Sequence, residues 1–314
     1  MIPVFFTIDD SYAPYLAVAL HSAIVNSSPE NRYKAIILYQ DVREENRRRI
    51  EALARDHFAI EFVPMQQGLE AITDRMGNRL RCDYFTLTIY FRLFIPAMFP
   101  EYDKAIYIDS DVVIPGDLAD LYNIDLAGNY IGACPDFSIA DAPPLVRYTV
   151  EAVGMDAGKY INSGVLLMDL KALREKALDT HFLHLLNTYA VDCIAPDQDY
   201  LNAMCRGKIL YLPECWDAMP NDCKPALPDA KLIHYNLFSK PWCYDGIQYG
   251  DVFWKYAEGS GYLAEARAHK AHYSDAQKQS DAKCMELLAQ RGVEIIGHEV
   301  TFKKLYESGV NVRL

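Results

Sequence analysis

Residues 106–114, Ile-Tyr-Ile-Asp-Ser-Asp-Val-Val-Ile, set two carboxylates one residue apart inside an otherwise apolar, β-branched run. Such a run reads as a central strand buried on both faces, where an ionised carboxylate is very costly unless it is paired or metal-bound. Alternate residues of a strand point to the same side, so Asp109 and Asp111 can converge on one hard divalent cation, with Ser110 facing away. In a solvated turn the same pair would need no partner. The flanking Ile-Tyr-Ile and Val-Val-Ile instead place it at the edge of a buried strand.

The segments around this run set the fold class. Strand-like runs at Val4–Ile8, Ala35–Tyr39, Ile60–Val63 and Ala105–Ile108 alternate with helical patterns at Ala13–Asn26 and Glu44–His57. That order predicts an α/β fold with a parallel sheet and helices on both faces. Ligands in such sheets bind beyond the carboxyl ends of the strands. Asp9 and Asp10 follow the first strand, and Asp109 and Asp111 lie around the end of the fourth. Further strands are expected at Tyr130–Cys134, Asn162–Leu170 and Leu232–His234, and helices at Ala172–Tyr189, Gln198–Arg206, Asp251–Tyr256 and Leu263–Gln290. Pro213 to Pro228 reads as irregular. No linker interrupts the 314 residues, which suggests one domain over residues 1–260 and a C-terminal helical extension over 261–314.

A formal charge of -12 argues against a general nucleic-acid binder, which needs clustered Lys and Arg. Residues 265–314 depart from this acidity, with 8 Lys and Arg against 7 Asp and Glu. Their Phe302-Lys303-Lys304-Leu305-Tyr306 offers a peripheral contact to an anionic membrane face, against the plainer reading of a helical extension. The N-terminal segment is apolar but lacks a basic n-region and meets two acids at once, unlike a signal peptide. Ile89 to Phe99 contains Arg92 and Pro96 and is too short to span a bilayer. A cytoplasmic location follows as the expectation, with the inner membrane face as the site of any peripheral contact. Eight cysteines, at 82, 134, 193, 205, 215, 223, 243 and 284, form no C-x-x-C pair and read as buried free thiols.

Together with four other segments, Ile106–Ile114 resembles the D-x-D region of glycosyltransferase family 8. These retaining, nucleotide-sugar-dependent enzymes include lipopolysaccharide galactosyl- and glucosyltransferases and glycogenin. The other segments are Phe6–Tyr12, Asn162–Leu166, Asp197–Asn202 and His234–Trp242, in the family's order. The resemblance implies a GT-A type fold, a single Rossmann-like domain with a mixed, mainly parallel central sheet, followed here by the helical extension. It also implies a UDP-sugar donor, glucose or galactose, and a glycan or glycolipid acceptor. The cofactor it implies is Mn²⁺, with Mg²⁺ as the alternative.

The resemblance carries onto particular residues. Asp9 would contact the uracil imide and Ser11, where relatives often carry Asn, the ribose. Arg92, the only charge in the apolar stretch Thr86–Phe99, would contact the donor sugar and order the Asp9 and Asp109 region; otherwise it snorkels to solvent. His234 becomes the third metal ligand beside Asp109 and Asp111, a donor set that suits Mn²⁺ better than Ca²⁺. Lys240 offers a point charge to the diphosphate. Leu237 stands where relatives frequently place Gly. Asn162 would reach a sugar hydroxyl or serve as a turn residue. Asp197 would bind donor hydroxyls or act as a helix N-cap, and Gln198 would lie beneath the anomeric carbon.

Two rivals come from other classes. Asp109-Ser110-Asp111-Val112-Val113 also fits the nucleophile strand of haloacid-dehalogenase-type phosphohydrolases, although that motif normally opens its domain and here follows half a sheet. A non-catalytic sugar-nucleotide-binding protein is the other.

Overall fold

Ile2–Ile8 is buried along almost its whole length, as only a strand covered on both faces can be. In the computed structural model, which describes residues 1–65 and 87–314, this strand is β1. The others are β2 (Tyr33–Tyr39), β3 (Phe58–Pro64), β4 (Lys104–Ile108), β5 (Val112–Val113), β6 (Ile131–Ala133), β7 (Val165–Asp169), β8 (Ile209–Tyr211) and β9 (Ile233–His234). Seven form one sheet in the order β3-β2-β1-β4-β7-β6-β8. Only β7 runs against its neighbours, so the sheet is mixed and mainly parallel.

The D-x-D run is not one strand. β4 stops at Ile108, the chain bends through Asp109–Asp111, and Val112–Val113 leave to pair with β9 in a separate two-stranded ladder. The two carboxylates therefore converge because the chain turns at the sheet's edge, and Ser110 is itself buried. Breaking the strand there relieves the conflict between an apolar run and its charges.

Helices α1 (Ala13–Asn26), α2 (Glu44–Glu51), α3 (Ile95–Met98), α4 (Leu118–Tyr122) and α5 (Pro143–Tyr148) follow successive strands. Then come α6 (Leu170–Glu175), α7 (Leu178–Tyr189), α8 (Pro196–Met204), α9 (Gly250–Ala257), α10 (Leu263–His272), α11 (Asp275–Ile296) and α12 (Phe302–Glu307). Three helices expected as continuous are shorter or split. α2 ends at Glu51 rather than His57, because Phe58 begins β3. Ala177, at φ 50°, separates α6 from α7, and Ser274 with Gln277 forms a capping box that starts α11. Within the apolar stretch Thr86–Phe99 lies a 3₁₀ turn, Leu87–Leu93, followed by α3; Thr86 and Cys82 lie outside the described residues. Cys223 is exposed, and Cys215 and Cys284 are half-buried, so only some of the thiols are core residues.

The period-two alternation of β1 divides the core. Val4, Phe6 and Ile8 pack on α1, whereas Phe5 joins Tyr107, Leu166 and Tyr200 on the opposite face. Residues beyond 260 share that second core: Leu288, Ile295, Phe302, Leu305 and Val312 belong to it. The Phe302 ring meets Tyr200 of α8 edge-on, centroids 4.8 Å apart. No helix among the described residues is long and apolar enough to cross a membrane. Because Phe302 is only 2% exposed, Phe302→Ala should lower unfolding free energy by about 3–5 kcal/mol in urea denaturation. A change within experimental error would mean that the extension packs only loosely.

Candidate functional site

Asp9 follows β1, Asp109 follows β4, Asp136 follows β6 and Asp217 lies beyond β8, while Asn162–Gly164 lead into the reversed β7. All lie at the same end of the sheet, the end where parallel α/β folds bind ligands.

Asp109, Asp111 and His234 each offer a ligand atom, and these atoms lie within 4.8 Å of one another. Gly164 packs closely against two of them: a Cβ there would come within 2.3 Å of His234 Cε1 and 2.8 Å of Asp109 Oδ2. Two carboxylates and an imidazole suit a divalent cation. Asp109 Oδ1 accepts from Arg92 Nη2 and from the Tyr107 hydroxyl, both at 2.8 Å. Asp111 lies 3.3 Å from His234 Nε2 through Oδ1 and accepts from Lys240 Nζ at 2.6 Å through Oδ2. Burial would raise the Asp111 carboxyl, but Lys240 and His234 outweigh it and hold it well below the usual range. Burial would likewise lower the His234 imidazole, yet Asp111 and Asp217 push it up to about 10. A field that retains a proton there so firmly also favours a metal ion.

Arg92 does not snorkel. Only 4% exposed, it bonds Asp109, donates to the Ser163 carbonyl at 2.6 Å and to Ser163 Oγ at 3.1 Å, and pairs with Asp197 at 3.2 Å. Its guanidinium lies over the Tyr107 ring, 4.3 Å from the centroid. Desolvation opposes its charge, and Asp109 and Asp197 more than restore it.

Asp197 is not an N-cap. Pro196 opens α8 after Ala195, and Asp197 sits within the first turn, fully buried. Its Oδ2 accepts from Ser163 Oγ at 2.9 Å, while its buried Oδ1 has no hydrogen-bond partner among the described residues. A buried, unpartnered carboxylate oxygen is expensive, and a ligand hydroxyl would satisfy it. Gln198 is held at both ends of its amide: Oε1 accepts from the Ser163 N–H at 3.0 Å and Nε2 donates to Asp136 at 2.9 Å. Asn162 Oδ1 accepts from the Gly164 N–H at 2.7 Å, the turn role, and its Nδ2 lies 3.3 Å from Asp136.

Asp9 accepts from the Ser11 N–H at 2.9 Å, capping the 3₁₀ turn Asp10–Tyr12, and from Ser11 Oγ at 2.5 Å. Asp10, the other acid past β1, binds Arg43 and Asn46. Leu237 holds φ 53°, the left-handed region that glycine adopts without strain, so the loop keeps a glycine-like bend. The Asn236 side chain accepts the Leu237 N–H there at 2.8 Å.

Four participants escaped the sequence reading as site residues: Tyr107, Asp136, Ser163 and Asp217. Asp136 carried the signal used for Asp9, an acid just past a strand. Asp217 lies in Cys-Trp-Asp-Ala-Met, an acid in an apolar run as at Asp109, within a segment read only as irregular.

A solved galactosyltransferase, LgtC, in complex with donor and acceptor sugar analogues superposes with a TM-score of 0.70 at 25% identity, covering 82% of this chain and 96% of that one. The WbbM bifunctional glycosyltransferase shares the fold, with a TM-score of 0.71 at 21% identity over 86% of this chain and 52% of that one. The architecture is therefore that of a GT-A glycosyltransferase. The family model of glycosyl transferase family 8 matches residues 3–246, and the chain belongs to that family. A Haemophilus influenzae protein named as a glycosyltransferase without a stated substrate is 30% identical over 220 residues, 70% of this chain and 64% of that relative. The lipopolysaccharide 1,2-glucosyltransferase of Escherichia coli K12 is 25% identical over 262 residues, 76% and 71% of the two chains.

Gly164→Ala should crowd His234 and Asp109 and weaken divalent-cation binding at least about tenfold, measured by Mn²⁺ titration. Native affinity in this variant would show that the close packing of Gly164 on His234 and Asp109 does not set their geometry for a cation.

Proposed function

We propose that this chain is a retaining hexosyltransferase that moves glucose or galactose from a UDP-sugar to a glycan or glycolipid acceptor. The observation that carries the reading is the convergence of Asp109, Asp111 and His234 beside a buried Asp197 oxygen with no partner. Of the divalent ions, Mn²⁺ suits the imidazole better than the harder Mg²⁺. Bound there, the ion would supply Lewis-acid stabilisation of the departing diphosphate, a contribution of several kcal/mol that replaces a protonating acid.

The side chains then divide the work. Lys240 would share its charge between Asp111 and the diphosphate, Asp9 would take the uracil N–H, and Ser11 would face the ribose. Asp197 Oδ1 would accept from a sugar hydroxyl, Asn162 would reach another, and Arg92 would hold Asp109 and Asp197 in register. Retention can proceed through a nucleophile on the opposite face of the sugar, yet Gln198 is a neutral amide with both ends hydrogen-bonded. Attack by the acceptor on the face the diphosphate leaves is the path this supports. The phosphohydrolase reading loses its footing, since Asp109 Oδ1 is committed to Arg92 and Tyr107 and the chain belongs to a glycosyltransferase family. With Phe302 and Leu305 buried, membrane contact by the extension would fall to Lys303 and exposed Tyr306.

UDP release should be measured with UDP-Glc, UDP-Gal, UDP-GlcNAc and UDP-Xyl. One hexose donor should be preferred, with slow hydrolysis even without acceptor; no release from any donor would favour a binding protein. Asp111→Asn and His234→Ala should abolish Mn²⁺-dependent turnover, and a normal rate in EDTA would sink the metal assignment. Gln198→Ala should retain measurable transfer. A glycosyl adduct trapped on Gln198 would overturn the same-face path.

A further inference from the structure

Asp217 is fully buried, at the end of the 3₁₀ turn Glu214–Trp216. Backbone pairing delivers it to the site: the Ala218 N–H bonds the Leu232 carbonyl at 3.0 Å, and the His234 N–H bonds the Ala218 carbonyl at 2.9 Å. This places Asp217 Oδ1 3.1 Å from His234 Nδ1. The other oxygen, Oδ2, is buried with no hydrogen-bond partner among the described residues. A carboxylate buried in this way, with one oxygen unpaired, is costly. An isosteric amide would be far cheaper to bury among acids. A carboxylate keeps one property that an amide lacks: when ionised it can only accept.

We infer that Asp217 is a positioning residue whose acceptance of the Nδ1 proton turns His234 Nε2 toward Asp111 and the cation, an assignment that rests on the metal reading above. A ligating imidazole must present a lone pair on the nitrogen that faces the metal, so the proton must sit on the other nitrogen. Asp217 enforces that arrangement. An Asn could rotate its NH₂ toward Nδ1 and favour the proton on Nε2, the form that cannot ligate. Gly164 sits against the Cε1 edge, so the ring is confined from that side as well.

The test is Mn²⁺ binding to the full chain without donor or acceptor, followed by the electron paramagnetic resonance signal of the free ion. Asp217→Asn should bind about 10–100-fold more weakly than the native chain. At saturating Mn²⁺, the ¹⁴N electron spin echo modulation from a ligating imidazole should be present in the native chain. It should be absent in His234→Ala and diminished in Asp217→Asn, a signature that a merely structural role would not move. Asp217→Ala removes the carboxylate without adding a donor and gives the same readouts should the Asn variant not fold. Failure of the native chain to bind Mn²⁺ overturns the metal reading and this inference together. Native binding with equal affinity and equal ¹⁴N modulation in the folded Asp217 variant overturns this inference alone.

Discussion

The guanidinium of Arg92 joins the adjoining ends of β4 and β7 to the first turn of α8. It holds the carboxylate after β4, the carboxylate in the first turn of α8, and the backbone and hydroxyl of Ser163 before β7. A Lys could not do this, because a single ammonium lacks the planar fork of donors and the face that lies on Tyr107. The arrangement is mutually dependent: the charge is tolerated in the interior only because two carboxylates flank it, and they are tolerated only because it is there. Removing one partner from such a buried set costs about 3–5 kcal/mol. Arg92 is therefore as much a condition of the local fold as of the site.

What Arg92 does not offset defines the chemistry. Asp109, Asp111, Asp136, Asp197 and Asp217 gather at one end of the sheet, and Arg92 and Lys240 are the permanently cationic side chains bonded to them. Part of the remaining negative field falls on His234. Under the proposed function, a divalent cation would satisfy Asp109, Asp111 and His234, and a sugar hydroxyl would satisfy the orphaned oxygen of Asp197. Electrostatics that would be a defect in an inert domain becomes the driving force for binding.

The fold was legible wherever burial alone dictated it. The parallel half of the sheet, α1 and the acids past the strand ends followed from apolar periodicity and from the rule that ligands sit beyond carboxyl ends. Boundaries failed where tertiary geometry intervened: Ala177 in a left-handed conformation divides what periodicity reads as one helix, and the Val112–Val113 ladder with β9 takes the D-x-D run out of the main sheet. Asp109 and Asp111 stood out because charge in an apolar run demands a partner, His234 joined them through the family resemblance, and the structure brings the three together. Lys240 was placed for a diphosphate, and its bond to Asp111 depends on a contact 129 residues away in sequence. Asp217 lay hidden because its partner is fixed by a single bridge between Ala218 and Ile233 of the two-residue strand β9, which leaves no period to detect.

The extension is tied to α8 by more than the Phe302 ring. Gly292 of α11 lets Tyr148 of α5 approach so closely that a Cβ there would lie 3.3 Å from the Tyr148 Cβ. The Tyr148 hydroxyl, with that of Tyr160, donates to Asp199, which also accepts the N–H groups of Ile194 and Ala195. Burial pushes the Asp199 carboxyl up to about 6 even against these four donors, so the residue is held at a cost that must serve something else. Asp199 lies in α8 beside Asp197 and Gln198, and its bonds pin the chain that enters that helix. The extension, the tyrosines and Asp199 form one continuous packed path to Asp197 and Gln198. A helix anchored from beneath by buried hydrogen bonds can keep Asp197 Oδ1 unsatisfied without collapsing onto a nearby donor, which is what a preorganised acceptor for a substrate hydroxyl requires.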